Sequence, residues 1–496
     1  MRAAPVMVGT EPFARPPAAT DRLGRAIGRS GFFTLSFGAI VGSGWVVIMG
    51  DWLRAAGTSG TAVGLLAGGG VMVLIALCYG ELAARFSSAG GEFLYTLETF
   101  GRRAGFLVAW FLTLYSIAVC AFEAIACAWL LRELVPAMDI GVAYTLAGTP
   151  VGWDALVIGA IGSLAIGGLH YGGARSAITF QNIVTYGFIL ISLVLIGCGF
   201  TRGTIHNLAP FWTAQSSQDS WLAGSFWIFS SCAFFLNGWQ TALHAIEERK
   251  TNVTARGAIL SMVFGIIVAT VFYIAIVAAA ASTMPWRNLI GQDLPAIAAF
   301  RALGMNGTLG TVALVAATVS LTKTWSAMTW VASRVIFAQA RLGFLPPFLA
   351  RVDSHSGAPR NAIITVVVLT GVGVVLGRGA ILPIVDMVAI CLALSIILCL
   401  AVLLRRRHID PATPSFVVPG GTTTVVLALI GAATMIGVAL IQPLLRNTGK
   451  IPVEWVMLGA WAAAGLFVSQ LHVRKNRRHD ALRMIDHGSI DSRDFP

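Results

Sequence analysis

The chain has 496 residues, 56% of them hydrophobic and only 11% charged, with a formal net charge of +12. A soluble domain carries about 25% charged residues. So low a charge density, with apolar runs of roughly 18 residues or more recurring along the chain, argues against a soluble protein and predicts an all-α integral membrane protein; the runs are continuous rather than alternating, which speaks against a β-barrel.

Residues 1–30 hold Arg and Pro but no apolar stretch followed by a small-residue cleavage site, so they read as a tail and not as a signal peptide. Twelve membrane spans are expected after it, near 31–56, 60–84, 104–131, 154–171, 176–200, 222–246, 257–283, 307–336, 361–377, 380–404, 421–445 and 451–472. A basic tail, 473–496, follows and contains RKNRRH from Arg474 to His479. With the N-terminus cytoplasmic, about 25 of the Lys and Arg residues fall on the inner side and about 8 on the outer, the asymmetry of helices oriented by positive charge. Both termini are therefore expected in the cytoplasm and the protein in the plasma (inner) membrane. The basic tail is read first as an orientation signal and second as a contact with anionic lipid. Nucleic acid is not an expected partner.

The stretch GAIVGSG, Gly38 to Gly44, interrupts span 1 with three glycines, each of which costs a helix about 1 kcal/mol relative to Ala. Five spans later, AFFLNGWQ (Ala233–Gln240) interrupts span 6 at Asn237 and Gly238. Two interrupted spans in corresponding positions, an odd number apart, predict an inverted repeat. Repeat 1 then occupies 31–200 and repeat 2 occupies 222–404, with two further helices in 421–472. A broken helix exposes N–H and C=O groups that lipid cannot satisfy, so they must line a cavity or bind something. The half-helix starting near Ser43 offers free N–H groups and a positive dipole end, which suit a carboxylate. A small-residue face for tight helix packing, made by Gly38, Gly42 and Gly44, is the other reading of the same glycines.

These stretches resemble a known family. GAIVGSGW is similar to the first-helix glycine motif of the amino acid–polyamine–organocation superfamily of permeases. CYGELAARFSSAGGEFLYTLETFGRRAGFLVAW (Cys78–Trp110), NGWQTALHAIEERKTNVTARGAI (Asn237–Ile259) and ASRVIFAQARLGFLPPFLARVDSHSGAPRNAI (Ala332–Ile363) resemble its second-to-third-helix, sixth-helix and eighth-helix segments, in order. The resemblance implies the LeuT-like fold, two inverted five-helix repeats with discontinuous helices 1 and 6 plus two further helices. It also implies a secondary active transporter that moves an amino acid or related amine by alternating access. Carried over, Ala39, Gly42, Ser43, Gly44, Phe234, Asn237 and Gly238 form the substrate-binding set. In it Gly42–Gly44 hold the carboxylate, Phe234 is an aromatic gate and Gly238 is the sixth-helix break. Three positions depart from the pattern: Gln240 stands where many members have a carboxylate, Trp45 where the residue is usually smaller, and Ser87 where Pro is common.

Lys323 in SLTKTWS, Glu123 in CAFEAIAC and Asp386 in PIVDMVAI put charges inside spans 8, 3 and 10. Intramembrane ionisable residues are functional candidates by default, and these three are the expected coupling residues. Glu123 and Lys323 are opposite in sign and are expected within salt-bridge or one-water reach, as a structural pair or as a proton carrier; Asp386 could instead sit near enough to the surface to be solvated. His170 and His244, near span ends, read as interfacial histidines. Sodium-coupled relatives of this fold bind the ion with helix-8 hydroxyls, here Ser320, Thr322, Thr324 and Ser326, and first-helix carbonyls. A lysine beside them would repel sodium and stand in for it, which favours proton coupling or exchange.

The seven cysteines all fall inside apolar spans and none has metal-ligand spacing. The chain has no HExxH, no GxSxG in a suitable context and no phosphate loop. No metal, cofactor or catalytic residue is expected. The expected partners are a small-molecule substrate and membrane lipid, and the oligomeric state stays open. A polyamine or organic amine transporter, and a nutrient sensor that binds without translocating, are the alternatives.

Overall fold

The computed structural model describes residues 23–42, 44–86, 90–146, 148–212, 221–446 and 453–486. Ser43 and Ser87 lie outside the described residues. Helix α1 (Arg29–Ile40) stops at Val41, whose φ of −87° and ψ of 89° leave the helical region; α2 (Gly44–Val47) resumes the course, and α3 (Met49–Arg85) follows after Ile48. Span 1 is therefore α1, α2 and the opening turns of α3. It ends where Gly57 adopts φ +70°, and a Cβ there would lie 2.8 Å from the Phe211 carbonyl oxygen. Only glycine accepts that conformation at that spacing. The rest of α3 is span 2.

The chain continues through a short helix α4 (Glu92–Phe100), span 3 as α5 (Arg102–Leu134), an antiparallel hairpin of β1 (Val142–Leu146) and β2 (Thr149–Gly152), then α6 (Trp153–Tyr171) and α7 (Ala174–Arg202). The second set of five spans begins with another interrupted helix. Helix α8 (Trp221–Phe235) stops, the backbone crosses Leu236–Gln240 without helix, and α9 (Thr241–His244) takes over. Then come α10 (Ala255–Thr283), the short α11 (Pro295–Ala302), α12 (Thr308–Arg341), α13 (Arg360–Val374) and α14 (Ile381–Ile409). Helices α15 (Gly421–Arg446) and α16 (Val453–Asp486) complete the described chain.

Nine helical stretches among the described residues are long and apolar enough to cross a membrane, and Leu222–Phe235 and Arg360–Val374 are shorter apolar helices. Helix α12 is 34 residues long but carries hydroxyls, Lys323 and Arg334. Together these are the twelve expected spans, in order. The hairpin, α4 and α11 were not expected, because each is too short to register as a span. The last helix also runs through Asp486, well into the segment read as tail.

Candidate functional site

The two interruptions meet. Gly238 adopts φ +106°, and a Cβ on it would lie 2.6 Å from the carbonyl oxygen of Ala39, so the break of the sixth span sits directly on the end of α1. Side chains close the second break from within. The Gln240 amide donates to Asn237 Oδ1 at 2.6 Å, and its Oε1 accepts the Gly238 N–H at 3.1 Å. Asn237 Nδ2 donates to the Tyr115 hydroxyl at 3.3 Å, and the Thr241 hydroxyl donates to the Gly238 carbonyl at 2.7 Å. A neutral amide thus satisfies the unwound backbone here.

At the first break, α12 presents its polar face to the carbonyl end of α1. The Ser320 hydroxyl lies 2.7 Å from the Val41 oxygen and 3.1 Å from the Gly42 oxygen. The Thr324 hydroxyl lies 3.0 Å from the Gly38 oxygen. The Lys323 ammonium donates to the carbonyls of Gly38, at 3.2 Å, and Val41. It also faces the rings of Phe188, at 4.6 Å, and Phe37, at 5.8 Å. A cation at the carbonyl end of a half-helix meets its negative dipole end, and the aromatic faces add cation–π attraction. Of the four hydroxyls singled out from sequence, Ser320 and Thr324 reach the break. Thr322 bonds to its own helix at Val319, and Ser326 faces His170 Nε2 at 3.2 Å.

Glu123 comes from α5 on the other side of the break. A Cβ on Gly42 would stand 3.1 Å from Glu123 Oε1 and 3.4 Å from the Thr324 hydroxyl. The carboxyl is buried, and its Oε2 has no hydrogen-bond partner. No ion pair within 4.0 Å joins Glu123 to Lys323. The unwound segment runs between them, with Gly42 towards the Glu123 carboxyl and the Val41 carbonyl towards the lysine. The expectation from sequence is salt-bridge or one-water reach in at least one state of the cycle; in this state the lysine's acceptors are backbone carbonyls.

A small cavity of about 40 Å³ occupies the space between the breaks. Ala39, Gly42, Gly44, Glu123, Phe234 and Asn237 line it. Tyr115, Phe122, Phe235 and Tyr273 supply the aromatic wall, which the sequence reading missed apart from Phe234. Phe234 packs edge-on against both Phe235 and Phe122, with centroids at 5.0 and 6.3 Å. Gly238 and Lys323 shape the breaks without lining the cavity. Asp386 is half-buried on α14 and lies outside it, although Val388 of the same helix reaches in.

Other buried charges carry no sequence expectation. Arg334 pairs bidentately with Glu248, at 2.8 and 3.0 Å, with both side chains buried. It lies eleven residues after Lys323, three helical turns, so phase along α12 was the available signal. His244 Nε2 lies 2.9 Å from Glu92 Oε2, again fully buried. His170 is buried against Trp330 and Ser326. Neither histidine is interfacial, because each span end is covered by neighbouring elements.

A family profile described as amino acid permease matches residues 27–462. The chain is 24% identical to the methylthioribose transporter of Bacillus subtilis (strain 168), over 92% of this chain and 94% of that protein. It is 24% identical to that organism's branched-chain amino acid permease BcaP over the same shares. To the human Asc-type amino acid transporter 1 it is 26% identical, over 73% of this chain and 68% of the relative.

Proposed function

The chain belongs to the amino acid permease family, and from that premise we propose that it carries an α-amino acid across the plasma (inner) membrane by alternating access between its two five-span repeats, with both termini cytoplasmic. The substrate carboxylate rests on the N–H groups opening the half-helix at Gly42, Ser43 and Gly44. Its amine faces the carbonyls at the end of α1 around Ala39 and the Glu123 carboxylate. Its side chain meets Phe234, with Asn237 forming the opposite floor and Gly238 the break that places it. The observation that most supports this reading is the unwound glycine segment, which borders a small cavity beside the buried Glu123 carboxyl and gives its carbonyls to the buried Lys323 ammonium.

Lys323 occupies the carbonyls that a coupling cation would need, so uptake is proposed to run by proton coupling or exchange, with Glu123 and Lys323 as the coupling charges. Asp386 contributes only as a charge on α14. The deciding test is uptake of individual amino acids into proteoliposomes. Saturable uptake that Gly42→Val abolishes is the expected result; no uptake or binding of any amino acid would overturn it. A carboxylate-free substrate is the second reading, favoured by the similarity to a protein named for methylthioribose. Competition by amines and by methylthioribose in the same assay separates the two.

A further inference from the structure

A second and larger cavity, of about 410 Å³, lies at the end of the bundle opposite the N-terminal segment. It is enclosed by the last turns of α5, the β1–β2 hairpin, the start of α6 and the turn Gly377–Gly379 that leads into α14. Its apolar wall includes Ile125 and Trp129, both buried and one turn apart on α5. Its polar groups are two arginines, Arg132 and Arg378, and two aspartates, Asp139 and Asp154. Asp154 is only 4% exposed; its Oδ2 lies 3.6 Å from Arg132, and its Oδ1 has no hydrogen-bond partner. Asp139 is exposed and accepts the Gly141 N–H at 3.2 Å. Arg378 lays its guanidinium 3.7 Å from the centroid of Trp129. Among the described residues no carboxylate lies within 4.0 Å of it.

A guanidinium held flat on an indole keeps its planar fork of donors available, and that fork matches a carboxylate in two parallel hydrogen bonds. The stacking fixes the side chain beforehand, so less rotamer freedom is lost on binding. Two positive and two negative groups around one apolar wall suit a zwitterion better than a net anion. The cavity also shares a helix with the central one: Phe122 lines the central cavity and Ile125 this one. Phe122 and Arg132 are about 15 Å apart along α5.

We propose that this cavity is an outer waiting site for the substrate amino acid, with the carboxylate on Arg378 and the ammonium towards Asp139 and Asp154. It rests on the reading of the chain as an amino acid transporter. The test uses the full chain in detergent with Thr149→Cys, a cavity-lining position, and a hydrophilic maleimide. Of the seven native cysteines six are buried and Cys198 is half-buried. An equimolar mixture of the proteinogenic L-amino acids without cysteine, whose thiol would consume the maleimide, should at about twice its apparent Kd slow labelling about threefold by mass action. Acetate should protect more weakly and isobutylamine not at all. The slowing should persist in a Gly42→Val background and vanish with Arg378→Gln. Protection that survives Arg378→Gln would overturn the assignment. So would protection that disappears with Gly42→Val, since it would then come from a conformational change driven at the centre, and so would no protection by any probe. Uptake of the same mixture, radiolabelled, by the wild type in proteoliposomes runs in parallel. Transport without protection removes the waiting site alone; the absence of both removes the transport reading.

Discussion

An ammonium taken out of water needs acceptors for its three donors. Lys323 finds them in the Gly38 and Val41 carbonyls, which lost their helical partners where α1 unwinds. That choice changes what its removal should do. A direct buried pair strands its partner at about 3–5 kcal/mol when one member is lost. Here Lys323→Met leaves Val41 and Gly42 still bonded by Ser320 and Gly38 still bonded by Thr324. We expect Lys323→Met and Glu123→Gln each to fold, each to lose concentrative uptake, and their effects on melting temperature to be close to additive. A strong compensating interaction in the double mutant would show a direct pair in another state of the cycle. Gly42 makes the sharper case. Its missing Cβ leaves only 3.1 Å to Glu123 Oε1, and the methyls of Gly42→Val would enter the cavity. Loss of substrate binding with an unchanged elution profile is the expected outcome, read by equilibrium binding in detergent.

At the scale of elements, both interruptions depend on a crossing that a side chain would block. Gly238 combines φ +106° with a prospective Cβ at 2.6 Å from Ala39. Left-handed backbone at a non-glycine residue costs on the order of 1–3 kcal/mol, and the clash with backbone adds to it. Gly238→Ala should therefore lower the melting temperature and separate the two half-helices, with uptake lost even where the protein folds. A second element-level contact fastens the segment after α9 to α12 through Arg334 and Glu248. Arg334→Met strands a buried carboxylate and should cost about 3–5 kcal/mol. Adding Glu248→Gln should recover much of that loss in a thermal-unfolding series. No recovery would mean that Arg334 acts through its stacking on Trp330, 4.1 Å away, and not through its charge.

For the whole molecule, the consequence is the driving ion. The first-break carbonyls, Ser320 and Thr324 form a cation site whose cation belongs to the protein. Exchanging sodium for choline outside proteoliposomes, at fixed pH, should leave the uptake rate nearly unchanged, whereas collapsing a pH gradient or removing internal substrate should slow it. Strict sodium dependence would require the ion to bind elsewhere.

The twelve spans, the two interruptions and the part of the cavity lining that the interruptions carry were legible in the sequence, because lipid imposes long apolar runs and punishes any glycine-rich gap that does not line a cavity. Glu123 and Lys323 were legible as intramembrane charges for the same reason. Their partners were not. Which acceptor a buried lysine takes depends on how α12 is rotated against α1, and that rotation is set by packing along the whole helix. The hairpin, the buried pairing of His244 with Glu92 and the stacking of Arg378 on Trp129 likewise join residues far apart in the chain. Hydropathy and local pattern report how each residue meets lipid or water, whereas these contacts exist only once the helices have been brought together.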